Sequence, residues 1–473
     1  MMMMMMQRLR RNVRMIALLS GSLAAAGCSA GPDFQRPDPP VMNHYRPASG
    51  ELSQAASGAI AERWWESFGS PELDALVAEA LRNSPTLQAA KATLRTASAR
   101  RDAQAGSIRL PKLDAGAGAS RQGTNLVAMG QESDERTFNL FDSFLSAGYT
   151  LDLSGANKRR LEALAATAEQ KRHQLDAAKL SLASSVTTTA IKLAELNDRL
   201  ESMERRLELL KQKMEIEAAR LQLGGSSRYE LLRVQREVAS LRAEAATLKQ
   251  QRDETASQFR LLCGREPAQG KLPAFSIADF RLPEQLPMRV PSELVRQRPD
   301  MLASEAMMRA ANAEYGVKVA ESYPRITLDA SLGSQALTLT SLFGGGSLLW
   351  SVGGSIAHTL FDGGHDAENK AAIAEFDLAA ANYRQTVLEA LKEVADRLAA
   401  IEADSRELSA WLDADTLLAE QYAIIVSKHR LGAASTLELL DVSLEKEVSS
   451  SALLTGRSRR LADAALLFQA LGG

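Results

Sequence analysis

The feature that most constrains the fold of this sequence is a tandem duplication. Val186 and Val394 lie 208 residues apart, and the same spacing holds as far as Gly264 and Gly472. Upstream, "RNSPTLQAAKATLRTASARRDAQAGSIRLPKLDAGAG" is matched by "RQRPDMLASEAMMRAANAEYGVKVAESYPRITLDASLG". Self-similarity over this length indicates two copies of one structural unit. The predicted parts are repeat 1 at 71–264, a Pro-rich linker at 265–290 and repeat 2 at 291–473.

Each repeat contains two segments in which apolar residues alternate with polar or small ones. In "KLDAGAGAS", which begins at Lys112, Leu or Ala alternates with Asp, Gly or Ser. A period of two indicates β-strands that have one apolar and one polar face. The predicted strands are about 109–122 and 141–153 in repeat 1, and about 324–337 and 348–361 in repeat 2.

Long helical patterns follow the strands. From Leu193 to Met214 the apolar residues are three and four positions apart, and a similar seam continues from Leu231 to Leu262. This heptad spacing predicts two long helices that pack as an antiparallel coiled-coil hairpin. In repeat 2 the equivalent long helix is predicted over about 365–431.

Two similar short segments interrupt these helices. They are "LGGSSRYELL", which begins at Leu223, and "LGAASTLELL", which begins at Leu431. Glycine suits a tight turn between helices, because such a turn often needs a positive φ angle. We therefore predict that each hairpin reverses direction at its glycine-bearing segment.

The N-terminus has the features of an export signal. Residues 1–27 contain a basic region and then a short apolar stretch, which predicts a cleaved signal peptide. Small residues precede Cys28, as in a bacterial lipoprotein box, so we predict a covalent lipid on Cys28 and a lipidated, extended, Pro-rich segment over 28–70. By resemblance to lipoprotein sorting, Ser29 favours delivery to the outer membrane. The alternative is an ordinary signal peptide followed by an incidental cysteine.

Composition argues against several classes of function. The formal net charge is −2 and no long basic run occurs, so nucleic acid is not a predicted partner. No nucleophile elbow or pair of catalytic carboxylates is recognisable, and we predict no enzymatic activity and no cofactor other than the lipid. No metal site is predicted, because we place His358 on the apolar face of a strand and its acidic and histidine neighbours in a turn.

The strand count predicts association. No apolar run of twenty residues follows the signal peptide, so a membrane crossing would use β-strands. Four strands cannot close a barrel, whereas a dimer supplies eight and a trimer twelve, the latter with a real lumen. A polar inner face suits a wet lumen. The alternative is the edge of a water-soluble sandwich, which the flanking long helices disfavour.

The whole mature chain resembles the TolC-like outer-membrane efflux factors, in particular their NodT-type lipoprotein branch. The resemblance rests on "CSAGPDFQRP", on "WWESFGSPELDALVAEALRNSPTLQAA", on the duplicated strand and helix units, and on the paired "LG…LELL" segments. It implies a mainly α protein with transmembrane β-strands. In that family a homotrimer forms a 12-stranded β-barrel that continues as a periplasmic α-helical coiled-coil tunnel.

The resemblance also implies functional residues. The two turns would be tips that contact a periplasmic adaptor protein, and purely structural turns are the alternative. Two acids of the family that ring the closed inner end match Glu438 and Asp441, for which a solvated helix face is the alternative. A family Tyr and Arg that help to lock the tip are replaced here by His429 and Ala434. The tip residues are Gly224, Gly225, Ser226, Ser227, Gly432, Ala433, Ala434 and Ser435.

Together these features predict the exit duct of a tripartite efflux system. The protein would be anchored in outer-membrane lipids, extend into the periplasm, and receive small toxic compounds from an inner-membrane pump of the RND type through the adaptor. One alternative keeps the fold and exports polypeptides or metal ions. The other is a non-conducting coiled-coil lipoprotein that spaces the envelope, against which the amphipathic strands argue.

Overall fold

The computed structural model describes residues 30–37, 62–124, 136–283 and 296–473. The predicted signal peptide, Cys28 and positions 284–290 of the predicted linker lie outside these ranges. The chain divides into two compact units. The first comprises Met1–Pro37, Leu94–Lys171 and Ser304–Tyr383, and the second comprises Asp38–Thr93, Arg172–Ala303 and Arg384–Gly473. Each unit takes segments from both predicted repeats, so the repeats are units of sequence and not separate globular domains.

The strands of the first unit form one antiparallel sheet in the order β1-β2-β3-β4. Two hairpins, one from each repeat, are joined where β2 pairs with β3, from Phe141 opposite Ala336 to Leu151 opposite Ile326. The strands are β1 (Lys112–Thr124), β2 (Arg136–Leu151), β3 (Arg325–Ala336) and β4 (Leu348–Ala357).

The sheet has two chemically different faces. Leu145 lies opposite Leu332, which in turn lies opposite Trp350, and all three side chains are exposed in the single chain. On the other face the hydroxyls of Ser331 and Ser351 are 2.8 Å apart, within hydrogen-bonding distance. The predicted alternation is therefore present, and no layer formed by the described residues covers its apolar side.

The strand bounds differ from the predicted ones at several ends. β2 begins at Arg136, five residues before the predicted 141, because the ladder with β1 continues to the pair of Thr124 and Arg136. β1 begins at Lys112 instead of 109, because the preceding helix extends to Arg109 and Pro111 separates the two elements.

β4 ends at Ala357, four residues before the predicted 361. Ala357 pairs with Arg325, the first residue of β3, and Pro324 lies just before Arg325. β4 therefore ends where its partner strand β3 begins. His358 therefore lies beyond the strand, and its placement on an apolar strand face was wrong.

The long helices begin and end close to the predicted limits. α3 and α6 start just after the second strand of each repeat, and each ends at a glycine-bearing turn. Among the residues that the structure describes, no helix is both long and apolar enough to span a bilayer. The α-helices are α1 (Pro71–Asn83), α2 (Pro85–Arg109), α3 (Ala156–Gln222), α4 (Arg228–Leu262), α5 (Pro299–Glu321), α6 (His365–Arg430) and α7 (Thr436–Leu471).

The heptad seam forms the core of the first hairpin, in the second unit. Leu444 of α7 packs against this core, so the second hairpin contributes to it as well. Interlocking apolar side chains of this kind hold paired helices together, because they exclude water from a continuous stripe along the two helices. The core consists of Leu196, Met203 and Leu210 from α3, and Val238, Leu241 and Leu248 from α4.

Candidate functional site

The two helix turns have the same backbone structure. Gly224 has a φ of 73° and Gly432 a φ of 72°. The Gly225 N–H donates to the Arg220 carbonyl at 2.8 Å, and the Ala433 N–H donates to the Lys428 carbonyl, also at 2.8 Å. Each turn is thus a Schellman motif, in which a residue with positive φ ends the first helix.

A serine then starts the second helix of each hairpin. The Ser227 Oγ accepts from the Glu230 N–H at 3.3 Å, and the Ser435 Oγ accepts from the Glu438 N–H at 3.2 Å. Both side chains therefore satisfy an otherwise unpaired amide at a helix N-terminus. The shared glycine and serine of the two segments are explained by this common order of helix end, glycine turn and serine cap.

We expect Gly432→Ala to lower the free energy of unfolding by about 1–2 kcal/mol. A methyl group at Gly432 would meet no atom within 4 Å, so the cost arises from the positive φ alone. Gly225→Ala is the matched control, because Gly225 lies in the equivalent kind of turn without a positive φ. Thermal unfolding in detergent measures both, and equal losses for the two variants would contradict this explanation.

The first tip is held by a buried acidic group. The buried Glu217 accepts from Ser226 Oγ at 2.6 Å and from Arg220 Nη1 at 2.9 Å. Arg220 Nη2 also donates to the Gly225 carbonyl at 3.0 Å. These bonds join the last turns of α3 to the turn itself. Glu217 and Arg220 are absent from the predicted site, because neither lies in the conspicuous glycine-bearing segment.

The second tip is held differently. His429 Nδ1 lies 3.0 Å from the Ala434 carbonyl, and its N–H donates to that oxygen. Ala434 matches Ser226 of the first tip, and Ile425 matches Glu217, so the buried acid and its hydroxyl partner are both missing. The histidine thus bonds directly to the residue that, by resemblance to the family, replaces an arginine.

Both tips present apolar side chains to solvent. Leu223 is 87% exposed and Leu431 is 83% exposed, and Tyr229 is also exposed at the start of α4. Apolar side chains in such positions contribute nothing to the core and favour contact with another molecule. They are absent from the predicted site, although a leucine just before a helix-ending glycine could have identified two of them.

Glu438 caps its own helix. Its Oε2 accepts from the Ser435 N–H at 2.7 Å, which completes a capping box with the serine. This backbone bond, with a further bond from the Ser435 hydroxyl, lowers the pKa of the Glu438 carboxyl below its ordinary value. The carboxylate is exposed and charged, and it is oriented towards the start of α7. In repeat 1 the equivalent Glu230 pairs with Arg233 instead, at 2.9 Å.

Asp441 has a buried cationic partner. It forms an ion pair with Lys213 of α3, whose ammonium group is buried while the Asp441 side chain is about half exposed. The pair lies in a groove of about 610 Å³ whose lining also includes Arg206, Arg233 and Trp411. Sequence reasoning missed Lys213, since the two residues are 228 positions apart and share no motif.

We expect Asp441→Ala to lower the free energy of unfolding by about 1–2 kcal/mol, because it leaves a buried ammonium without its carboxylate. Partial exposure keeps the cost below that of a fully buried pair. Lys213→Met should cost less, since the remaining Asp441 can be hydrated. A double-mutant cycle with Lys213→Met and Asp441→Leu measures the coupling, and Glu445→Ala is an exposed control in the same groove. A coupling energy of zero would contradict the pairing.

Comparison with known proteins assigns the family. The profile of the family described as outer membrane efflux protein matches residues 76–265 and 290–473. The chain belongs to the outer membrane efflux protein family. The resemblance noted from the sequence is confirmed, and this protein is an efflux protein of the outer membrane.

Similar efflux proteins cover nearly the full length of the chain. The pyoverdine export outer membrane protein OpmQ of Pseudomonas putida is 31% identical, with 97% of each chain covered. The cation efflux system protein CusC of Escherichia coli is 29% identical, with 96% of this chain and 97% of CusC covered. The structure of the outer-membrane channel OprN has a TM-score of 0.83 at 25% identity, covering 94% of this chain and 99% of OprN.

Proposed function

We propose that three copies of this chain form the outer-membrane exit duct of a tripartite efflux system. The observation that carries the proposal is the four-stranded antiparallel sheet, whose edge strands are β1 and β4. The outward N–H and C=O groups of both edge strands need hydrogen-bond partners. In a bilayer no water can supply them, so another strand must do so. Pairing β1 of one copy with β4 of the next satisfies both edges at once.

A trimer supports a conducting barrel better than a dimer does. Eight strands leave an interior that side chains fill, whereas twelve leave a lumen. The homotrimer would also cover apolar side chains that a single chain leaves exposed on α6, including Leu378, Leu388, Leu417 and Ile424. Burial of these exposed apolar side chains would favour association of the copies.

The two faces of the sheet support a lipid-facing outside and a wet inside. Val352 is 76% exposed on the apolar face, which suits contact with lipid tails. The opposite face carries Asp142 and Asp329 with Gly, Ser and Thr residues, and it also includes Phe144 and Leu349. In the proposed barrel these acids face the lumen, where they favour cations and uncharged solutes over anions.

The proposed adaptor contact lies at the two tips. Leu223, Leu431 and Tyr229 supply exposed apolar surface there, next to the predicted tip residues Gly224–Ser227 and Gly432–Ser435. Small residues in the turns allow a partner helix to approach the backbone closely. The partner that fits this surface is a periplasmic adaptor with an apolar helical end.

The proposed periplasmic aperture includes Glu438 and Asp441. In a trimer each residue occurs three times around the axis, and like charges in a narrow ring repel each other. Lys213 pairs with Asp441 within one chain and reduces that repulsion. The proposed aperture therefore includes the basic Lys213 as well as the acidic Glu438 and Asp441.

The anchor and the cargo complete the proposal. A covalent lipid on Cys28 would hold the mature N-terminus in the outer membrane. The chain would catalyse no reaction, and an inner-membrane pump of the RND type would supply the energy. We propose small toxic compounds as cargo. One relative is named for pyoverdine export and another for cation efflux. Metal ions and polypeptides are the alternative classes of cargo.

Planar-bilayer recording of the purified full-length protein tests the channel. We expect discrete conductance steps that are larger when Glu438→Gln and Asp441→Asn are combined. Absence of any conductance, with and without these substitutions, would leave the envelope spacer as the better explanation. Transport assays with toxic organic compounds, metal ions and polypeptides then separate the three classes of cargo.

Two neighbouring substitutions test the orientation of the sheet. Val352→Asp places a charge on the proposed lipid face and should reduce the amount of protein inserted in the outer membrane. Ser351→Asp is the matched control, because Ser351 lies next in sequence on the polar face, where it bonds to Ser331. Equal insertion of both variants would contradict the assignment of the two faces.

Photo-crosslinking tests the tip contact. A photoreactive residue at Leu223 or Leu431 should capture the co-expressed adaptor. The control position is Leu261, which is exposed near the opposite end of α4 from the tip. Capture from Leu261 alone would place the adaptor elsewhere.

A further inference from the structure

The described segment just after Cys28 is bound by a buried arginine. Arg159 lies in the first turn of α3 and is only 3% exposed. Its Nε donates to the Ala30 carbonyl at 3.1 Å, and its Nη2 donates to the Gly31 carbonyl at 3.2 Å and to Asp33 Oδ1 at 2.7 Å. One side chain thus binds three acceptor groups, on Ala30, Gly31 and Asp33, in the segment 30–37.

The position of Arg159 is electrostatically unfavourable for a purely structural residue. A cation in the first turn of a helix opposes the helix dipole, and burial adds a desolvation cost. Glu162 accepts from Arg159 Nη1 at 2.9 Å and offsets part of that cost, and Asp33 offsets more. A buried arginine at this place is therefore best explained by the peptide it binds.

The surface around Arg159 is shaped for that peptide. A side chain at Gly31 would come within 2.7 Å of the Gly316 Cα atom, so the two backbones touch at a point where only glycine fits. The Asn312 amide of α5 donates to the Pro32 carbonyl at 3.1 Å. Further along the segment, Arg36 pairs with Glu305.

The segment is also joined to the end of the sheet. The Ala30 N–H donates to the Ser154 carbonyl at 2.9 Å, three residues after the last residue of β2. Asp152 accepts from the Asn157 and Lys158 amides and caps the start of α3 there. Strand end, helix start and N-terminal segment therefore meet at one point of the first unit.

We infer that Arg159 is a positioning residue that docks the mature N-terminal segment against the end of β2 and the start of α3. This docking gives the motif "GPDFQRP" a structural role. Cys28 precedes Ala30 by two residues, and two residues of extended chain span at most about 7 Å. Where Cys28 is lipidated, a point that rests on the proposed function, the docking would keep the lipid beside the strand ends.

Spin labelling tests the docking in the full-length chain. Gln35→Cys places a nitroxide on the exposed part of the segment, while the native Cys263 is buried and unreactive. The chain without the Gln35→Cys change, labelled in parallel, reports any reaction at Cys28. We expect a motionally restricted spectrum that becomes mostly mobile with Arg159→Gln. Arg160→Gln is the neighbouring control and should leave the spectrum restricted.

A second variant keeps the test decisive. Asp33→Ala removes one contact from the segment side, where the side chain is mostly exposed, and leaves the sequence of α3 unchanged. It should raise the mobile fraction to an intermediate level. A restricted spectrum for correctly folded Arg159→Gln would overturn the inference. If Arg159→Gln fails to fold, judged by circular dichroism, a restricted spectrum for Asp33→Ala would overturn it instead.

The result is separable from the proposed function. The spectrum reports docking whether or not Cys28 carries a lipid and whether or not the protein conducts ions. If the labelled segment 30–37 is mobile with Arg159 present and the protein conducts ions, the docking alone is rejected. A restricted segment in a protein without conductance would reject the channel alone.

Discussion

Replacing Trp64 with alanine is expected to lower the free energy of unfolding by about 3–5 kcal/mol. Trp64 is 2% exposed and stacks on Phe468 of α7, with ring centroids 5.3 Å apart. It also contacts the edges of Trp65 and Phe68 at 5.9 Å and 6.2 Å. The cluster joins the segment Trp64–Phe68 of the second unit to its last helix, so a cavity there would loosen both.

Trp64→Phe separates packing from hydrogen bonding. Within the described part of the chain, the Trp64 Nε1 has no hydrogen-bond partner, so this variant loses ring volume but no bond. We expect a loss of about 1–2 kcal/mol, well below that of the alanine variant. Denaturant unfolding in detergent measures both variants. Similar losses for phenylalanine and alanine would show that ring packing is not the main contribution.

Replacing Asp404 with asparagine is expected to stabilise the protein at neutral pH. Burial of the Asp404 side chain, and then its hydrogen bond and charge repulsion with Asp463, raise its pKa from 3.8 to about 6. The same Asp463 pairs with Arg397 at 3.1 Å. Above its pKa, Asp404 is therefore a buried charge beside a like charge, with only partial compensation from Arg459.

The sign of the pH dependence follows from this raised pKa. Between about pH 4 and pH 6 the folded state binds more protons than the unfolded state, so wild-type stability falls as the pH rises through that range. The free energy of unfolding falls by about 3 kcal/mol in total, because the pKa of Asp404 differs by roughly two units between the folded and unfolded states. Asp404→Asn removes it, so the variant should gain up to this amount at pH 7.5 and almost nothing at pH 4.

Melting temperatures between pH 4 and pH 8 measure the effect. Asp413→Asn, an exposed carboxylate on the same helix, is the control and should follow the wild-type curve. If the Asp404→Asn curve falls with pH as steeply as the wild-type curve, the titrating group lies elsewhere.

Much of the local structure was predictable because the interactions that create it are local. The heptad spacing from Leu193 to Met214 predicted a long helix, and α3 runs from Ala156 to Gln222. The glycines predicted the turns because a positive φ depends on one residue and its neighbours. Strand alternation predicted the two faces of the sheet, although the ends of β2 and β4 followed from pairing with other strands.

The candidate site was predictable only in part. Gly224 and Gly432 could be found from sequence because their role is conformational. Asp441 could be found by resemblance, but its partner Lys213 could not, because nothing near either residue specifies the other. Glu438 was predicted as an aperture acid, and its immediate role in the structure is to cap α7.

The sequence by itself determined the duplication, the types of its elements, the glycine turns and the family. These depend on periodicity and on single-residue backbone preferences, which act over a few positions. Only the tertiary structure decided which distant groups meet: Lys213 with Asp441, Arg159 with the segment that begins at Ala30, and Trp64 with Phe468. Such pairs form when packing removes both groups from water, and that depends on the path of the whole chain.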